Sequence, residues 1–190
     1  MKSHTVKVLG GLLLVAVSAA QAEDVEGMSG MLNISGSMHE IPCALEMTSL
    51  HQTIDLGAVS TSQLQRPGDQ ARPVSFQLRF NDCQRTAGSI RSERTGNLTW
   101  SAFQPVLSVA FNAPADADDP RLVKVQGITG MGLRLTDPEG RDVQLGSRGE
   151  PLFLPLGSNT QTWTVQPTRT AAPLTSGAFR AVVDFKLNYE

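Results

Sequence analysis

GAFRAVVDFKLNYE, residues 177–190, is the stretch on which the fold turns. From Phe179 every second residue is apolar (Phe179, Ala181, Val183, Phe185, Leu187, Tyr189), Arg180, Asp184, Lys186 and Asn188 between them are polar, and only Val182 breaks the alternation. A period of two marks a β-strand with one dry face. The run is longer than the usual five or six residues, and no turn or partner strand follows Tyr189 in the sequence. A long amphipathic strand needs neighbours to satisfy its backbone and cover its dry face, because an open apolar edge invites aggregation. Another molecule is a candidate source of the missing neighbour.

The opposite end has a different composition. Lys2 and Lys7 precede and enter an apolar run over residues 8–17, and Ala20-Gln21-Ala22 supplies small residues around a cleavage point. This is the pattern of a secretory signal peptide over residues 1–22, too short for the roughly 20 apolar residues of a spanning helix. Cleavage leaves 168 residues, one domain in size, and the loss of two lysines takes the formal net charge from −2 to −4. No basic run points to nucleic acid. An exported chain with one cysteine pair, Cys43 and Cys83, is expected to join them in a disulfide. Closing that 40-residue separation contributes about 4 kcal/mol in the chain-entropy model.

Between these ends the apolar residues come in short alternating runs broken by turn residues, the pattern of an all-β domain. Met28, Gly30, Leu32 and Ile34 share one side of a first strand. A run over residues 38–44 brings Cys43 in behind Pro42, which suits a sheet edge. A short strand is expected at 53–56, a loop at 63–72, and a half-buried strand through Val74, Phe76, Leu78 and Phe80 that delivers Cys83. Residues 98–111 form one strand or two broken at Pro105. Residues 133–136 and 143–145 form a hairpin about the turn Asp137-Pro138-Glu139-Gly140. Residues 151–156 and 162–165 supply two more strands around Gly157-Ser158-Asn159, with Trp163 and Val165 in the core, for eight or nine strands in an antiparallel sandwich.

The arrangement resembles the pilin subunits of chaperone-usher fimbriae. The resemblance rests on Gly30 about a dozen residues before Cys43, on Cys83 after an alternating strand, and on Gly177, the strand 179–187 and penultimate Tyr189. It implies an immunoglobulin-like sandwich lacking its final strand, completed by a strand from a periplasmic chaperone and then from a neighbouring subunit, a form of β-strand addition. It further implies a donor arm over residues 23–35, with Met28, Gly30, Leu32 and Ile34 as its inserted face, and a pilin domain over 36–190. The acceptor groove and chaperone contact would be Gly177, Phe179, Ala181, Val183, Phe185, Leu187, Tyr189 and Glu190. The partners implied are that chaperone, an outer-membrane usher and other pilins, on the surface of a Gram-negative bacterium. Ile41-Pro42-Cys43 is similar to minor and adaptor subunits.

The remaining features carry no catalytic pattern. His39 and His51 are the only histidines after the signal, and no nucleophile motif accompanies them. Asp116, Asp118 and Asp119 lack the glycine and distal glutamate of a calcium loop, and Gly127–Gly132 has the wrong order for a phosphate cradle. No cofactor, metal, small-molecule substrate or nucleic acid is expected, and the chain reads as a structural protein rather than an enzyme. The alternative is a self-contained secreted sandwich that binds carbohydrate or protein.

Overall fold

The computed structural model of the protein describes residues 31–36 and 41–190. It divides into two units, Met1–Met38 and His39–Glu190. In the first, residues 31–36 have no regular secondary structure and all are exposed, Leu32 at 81% and Ile34 at 86%. The strand expected from Met28 is not formed over these positions, and Met28 and Gly30 lie outside the described residues. Alternation supplies a face but not a ladder partner, and an unpartnered strand is not stable in water.

The second unit contains β1 (Ala44–Leu45), α1 (Met47–Leu50), β2 (Val74–Cys83), β3 (Gly88–Arg91), β4 (Leu98–Ser101), β5 (Val106–Asn112), β6 (Val123–Lys124), β7 (Met131–Thr136), β8 (Leu152–Phe153), β9 (Gly157–Arg169) and β10 (Asp184–Tyr189). One sheet has the order β1-β2-β9-β7-β6, a second β10-β5-β8, and β3-β4 is a separate hairpin. Every ladder is antiparallel. The sheets meet through aromatic rings. Phe76 of β2 stacks on Trp163 of β9 at 6.3 Å between centroids, and Phe111 of β5 meets them edge-on at 6.2 and 5.9 Å. Phe185 of β10 joins at 6.4 Å from Phe111, so the last strand is anchored in the same core.

The disulfide depends on a break in this regularity. Phe80 and Cys83 are an odd number of residues apart and would face opposite sides of an unbroken strand. The register of β2 against β9 shifts between them, with Asp82 at a φ of 54°, and both residues are buried. This bulge turns Cys83 to the core side, where it bonds Cys43 with the Cα atoms 4.1 Å apart. The bond pins the start of β1 to the end of β2 at the edge of the sheet, the edge position expected for the Pro42 segment.

Several expectations change in detail. Residues 53–56 are not a strand. The chain beside them is held to β2 by other means: Glu46 N–H donates to the Arg79 carbonyl at 2.8 Å, Ser49 Oγ accepts from Arg79 N–H at 3.0 Å, and Gln52 Nε2 donates to the Gln77 carbonyl at 2.9 Å. Gly157-Ser158-Asn159 opens β9 instead of preceding it. After the Asp137–Gly140 turn the chain returns with one bridge, Thr136 to Asp142, rather than a full strand. Residues 98–111 are two strands broken before Val106, as Pro105 allows. Trp163 is buried, whereas Trp100 on β4 is 65% exposed because, among the described residues, nothing covers the outer face of that hairpin.

Two features fix the course of the last strand. The glycines of residues 127–130 lie under the chain that enters it: a Cβ at Gly127 would stand 2.3 Å from the Ala178 carbonyl oxygen, at a φ of 103°, and one at Gly130 would stand 2.7 Å from Ala172 O, Pro173 O and Leu174 Cα. At the far end Tyr189 Oη donates to the Cys43 carbonyl at 3.3 Å, and burial pushes the phenol up to about 12. The two predictions that follow use these anchors. Gly127→Ala is expected to lower stability by about 2 kcal/mol or more, from backbone strain and overpacking together, read as a lowered denaturation midpoint. Tyr189 is the only tyrosine, so its phenolate absorbance is expected to titrate near 12 in the folded protein. Because the folded value is raised above the ordinary value of about 10, its contribution to stability is complete below pH 10 and is lost as pH rises toward 12. A folded-state midpoint at 10 would show that the ring is not buried.

Candidate functional site

The C-terminal segment has a paired edge and an open edge. β10 pairs with β5 from Asp184↔Asn112 to Tyr189↔Leu107, and it is the outermost strand of its sheet. Upstream, Arg180 makes a two-bond bridge to Gln126. The alternation read from the sequence is reproduced in burial: Phe179, Ala181, Val183, Phe185, Leu187 and Tyr189 all pack against the core, yet each is only half-buried. Val182, the residue that breaks the pattern, is exposed. A core strand with this pattern would be sealed, and this one is left half open.

The facing wall was missed in the sequence. Leu45, Ile54, Leu56 and Val59 are also half-buried against the same core. Ile54 and Leu56 alternate with exposed Thr53, Asp55 and Gly57, which is the signal that suggested a strand at 53–56. They are extended side chains on a segment without a ladder, since residues 53–59 form no backbone pairing with other segments among the described residues. An apolar row with unpaired backbone thus lies on each side of one incompletely covered core.

The two walls are tied at both ends. At one end Tyr189 Oη bonds the Cys43 carbonyl. At the other, Val59, Thr61 and Leu64 share a depression of about 70 Å³ with Ile128, Gly177 and Phe179. The chain therefore runs away along one wall over residues 43–64 and comes back along the other over 177–190, leaving a slot between. Glu190 closes the second wall: its main-chain oxygen accepts from Ser89 N–H at 2.7 Å and its side chain pairs with Arg148.

All eight predicted acceptor positions, Gly177, Phe179, Ala181, Val183, Phe185, Leu187, Tyr189 and Glu190, lie on this one segment. The slot holds apolar side chains and backbone groups, so what it can do is take up an extended chain through main-chain hydrogen bonds and alternate side chains. The acidic loop is committed elsewhere. Asp116 Oδ1 caps the N–H groups of Asp118 and Asp119, and Asp119 pairs with Arg121, whose guanidinium holds that carboxyl below its usual range. Among the described residues no three His, Cys, Asp or Glu side chains form a metal site.

Comparison with known proteins gives the same architecture a family. The model of the fimbrial protein family matches residues 32–190. Long polar fimbria protein A of Salmonella typhimurium is 27% identical over 188 residues, covering 97% of each chain. The crystal structure of the P pilus rod subunit PapA superposes with a TM-score of 0.64 at 27% identity, over 79% of this chain and all of that one. The subunit in a chaperone-usher pilus structure concerned with rod uncoiling gives 0.65 at 26%, over 89% of this chain and all of that one. A sandwich with an open slot beside its last strand, matched along nearly its whole length by pilins, belongs to the fimbrial protein family and is a chaperone-usher pilin of the Gram-negative cell surface.

Proposed function

We propose that this chain is a structural pilus subunit that polymerises by donor-strand exchange, with the slot between residues 43–64 and 177–190 as acceptor. The observation that carries the reading is the half-burial of the whole apolar row from Phe179 to Tyr189 beside an unpaired edge. Covering six such side chains contributes on the order of 5 kcal/mol at the usual value per buried side chain, comparable to the entire net stability of many domains. A chain with this much to gain is poorly stable alone. A periplasmic chaperone would fill the slot first, with Glu190 exchanging the Ser89 amide for the chaperone's cations, an outer-membrane usher would receive the complex, and the arm of the next subunit would take over. Residues 1–22 act as the export signal in this scheme.

The donor is the arm of residues 23–35, through Met28, Gly30, Leu32 and Ile34. The exposure of Leu32 and Ile34 supports it. The same parity continues to Gly36 and Met38, and the family match begins only at residue 32, so Gly36 stands beside Gly30 as a register-setting small residue. The position in the fibre follows from whose arm fits whose slot. Ile41-Pro42-Cys43 argues for a minor or adaptor subunit, and the likeness to a rod subunit along the full length of that chain argues for the rod. We take the rod position, since it draws on far more of the sequence than three residues.

The test is thermal melting of the mature chain, purified with a pilus chaperone, before and after exchange for a synthetic peptide of residues 23–38. Gains of about 5 kcal/mol in a domain of this size raise the melting temperature by about 15 °C. Gly30→Leu and Gly36→Leu peptides locate the register, because the bulky residue that abolishes the gain marks the tightest point. A subunit already stable alone and indifferent to every peptide would instead be the self-contained binding module.

A further inference from the structure

The β3–β4 hairpin carries a surface that the slot does not use. Ser89 faces Trp100 and Arg91 faces Leu98 across its ladder, while Gly88 and Ile90 are buried beneath. Trp100 is 65% exposed and Leu98 51%. Just beyond β4, Phe103 is 58% exposed with the Arg85 guanidinium 4.7 Å from its ring centroid. Arg91 donates to the Gly96 carbonyl, and among the described residues neither Arg85 nor Arg91 meets a carboxylate. The exposed parts of these three apolar side chains amount to about 300 Å², within the range of the largest apolar patch on a typical monomer, which is often functional. On a chain of net negative charge it is a basic, aromatic patch.

Its position limits what can reach it. Ser89 N–H bonds the main-chain oxygen of Glu190, and a Cβ at Gly88 would stand 3.0 Å from that same oxygen. The hairpin therefore lies where β10 stops, at the Tyr189 end of the slot. Antiparallel pairing is the more stable sense per residue, and it is the sense of every ladder in this chain. A donor laid antiparallel against β10 begins at that end. Ahead of Met28, the first inserted residue of the arm, residues 23–27 span about 17 Å when extended and carry Glu23, Asp24 and Glu26.

We propose that the acidic start of the arm, residues 23–26 of a neighbouring copy, docks on Arg85 and Arg91 across the exposed face of Trp100. This rests on the donor-strand reading and adds a second contact outside the slot. Rim charges act mainly on the rate of encounter, so the acidic segment guides an incoming arm to the correct end of the slot. The one positive charge released by cleavage, the α-amino group of Glu23, offsets only part of the three carboxylates.

The experiment follows displacement of a pilus chaperone from the mature chain by two peptides of residues 23–38, one native and one carrying Glu23→Gln, Asp24→Asn and Glu26→Gln. At about 20 mM salt the native peptide is expected to exchange about five to ten times faster. The difference is expected to vanish at about 0.5 M salt, where the screening length falls to a few ångströms, and to vanish at low salt in the Arg85→Gln/Arg91→Gln double variant. Exchange of the neutral peptide into that variant at the ordinary rate shows that the variant is folded. Equal rates for the two peptides at low salt, or an acidic advantage that survives in the double variant, would overturn the docking proposal while leaving the slot intact. Failure of both peptides to displace the chaperone would overturn the donor-strand reading, and the docking proposal with it.

Discussion

One edge of β10 is paired with β5 and the other is open, and that asymmetry governs the rest of the domain. The paired edge fixes the strand in register, residue for residue, from Asp184 to Tyr189. The open edge leaves backbone donors and acceptors to water and lets solvent reach one side of Phe179 to Tyr189. Main-chain groups on an open edge accept any extended chain, so selectivity has to come from the side-chain row and from the ends of the slot. Each end is fixed by a close contact: the glycine turn under Ala178 at one, the Tyr189–Cys43 bond beside the disulfide at the other.

The disulfide has a particular use in such a design. A sandwich missing one strand has a wall, residues 53–59, without a ladder of its own, and such a segment would fray without an anchor. Its upstream end is tied in three successive ways: by the Cys43–Cys83 bond, by the short ladder of β1 on β2, and by Ser49 and Gln52 standing in for ladder partners of Arg79 and Gln77. Downstream, Leu64 is buried in the core. The wall is held at both ends and, among the described residues, left unpaired between them.

How much of this could be read from the residues varied with the interaction responsible. Local periodicity shows a face, so β2, β10 and the core positions of Trp163 and Val165 were legible. Which strands lack a partner depends on contacts far apart in sequence, so residues 53–56 read as a strand although no ladder forms there. The bulge at Asp82 was hidden because no glycine marks it. Trp100 shows the same limit: alternation places it on a face, and only the lack of a covering layer among the described residues leaves that face wet. The wall formed by Leu45, Ile54, Leu56 and Val59 left only a faint trace, because three of its four residues lie on irregular chain.

Under the donor-strand exchange proposed above, the slot has to be filled soon after export and yet remain exchangeable. Both demands are met when the first occupant satisfies the backbone edge and the second also fits the side-chain row better. The apolar side chains alternate with Arg180, Asp184 and Lys186 on the outer face of the same segment. The inserted row can therefore be replaced without disturbing the polar surface opposite it. Loss of one strand costs the edge hydrogen bonds and gain of the next restores them, leaving the difference in apolar fit to set direction. On that reading a half-buried row, which would be a defect in a self-sufficient domain, becomes the element that drives assembly.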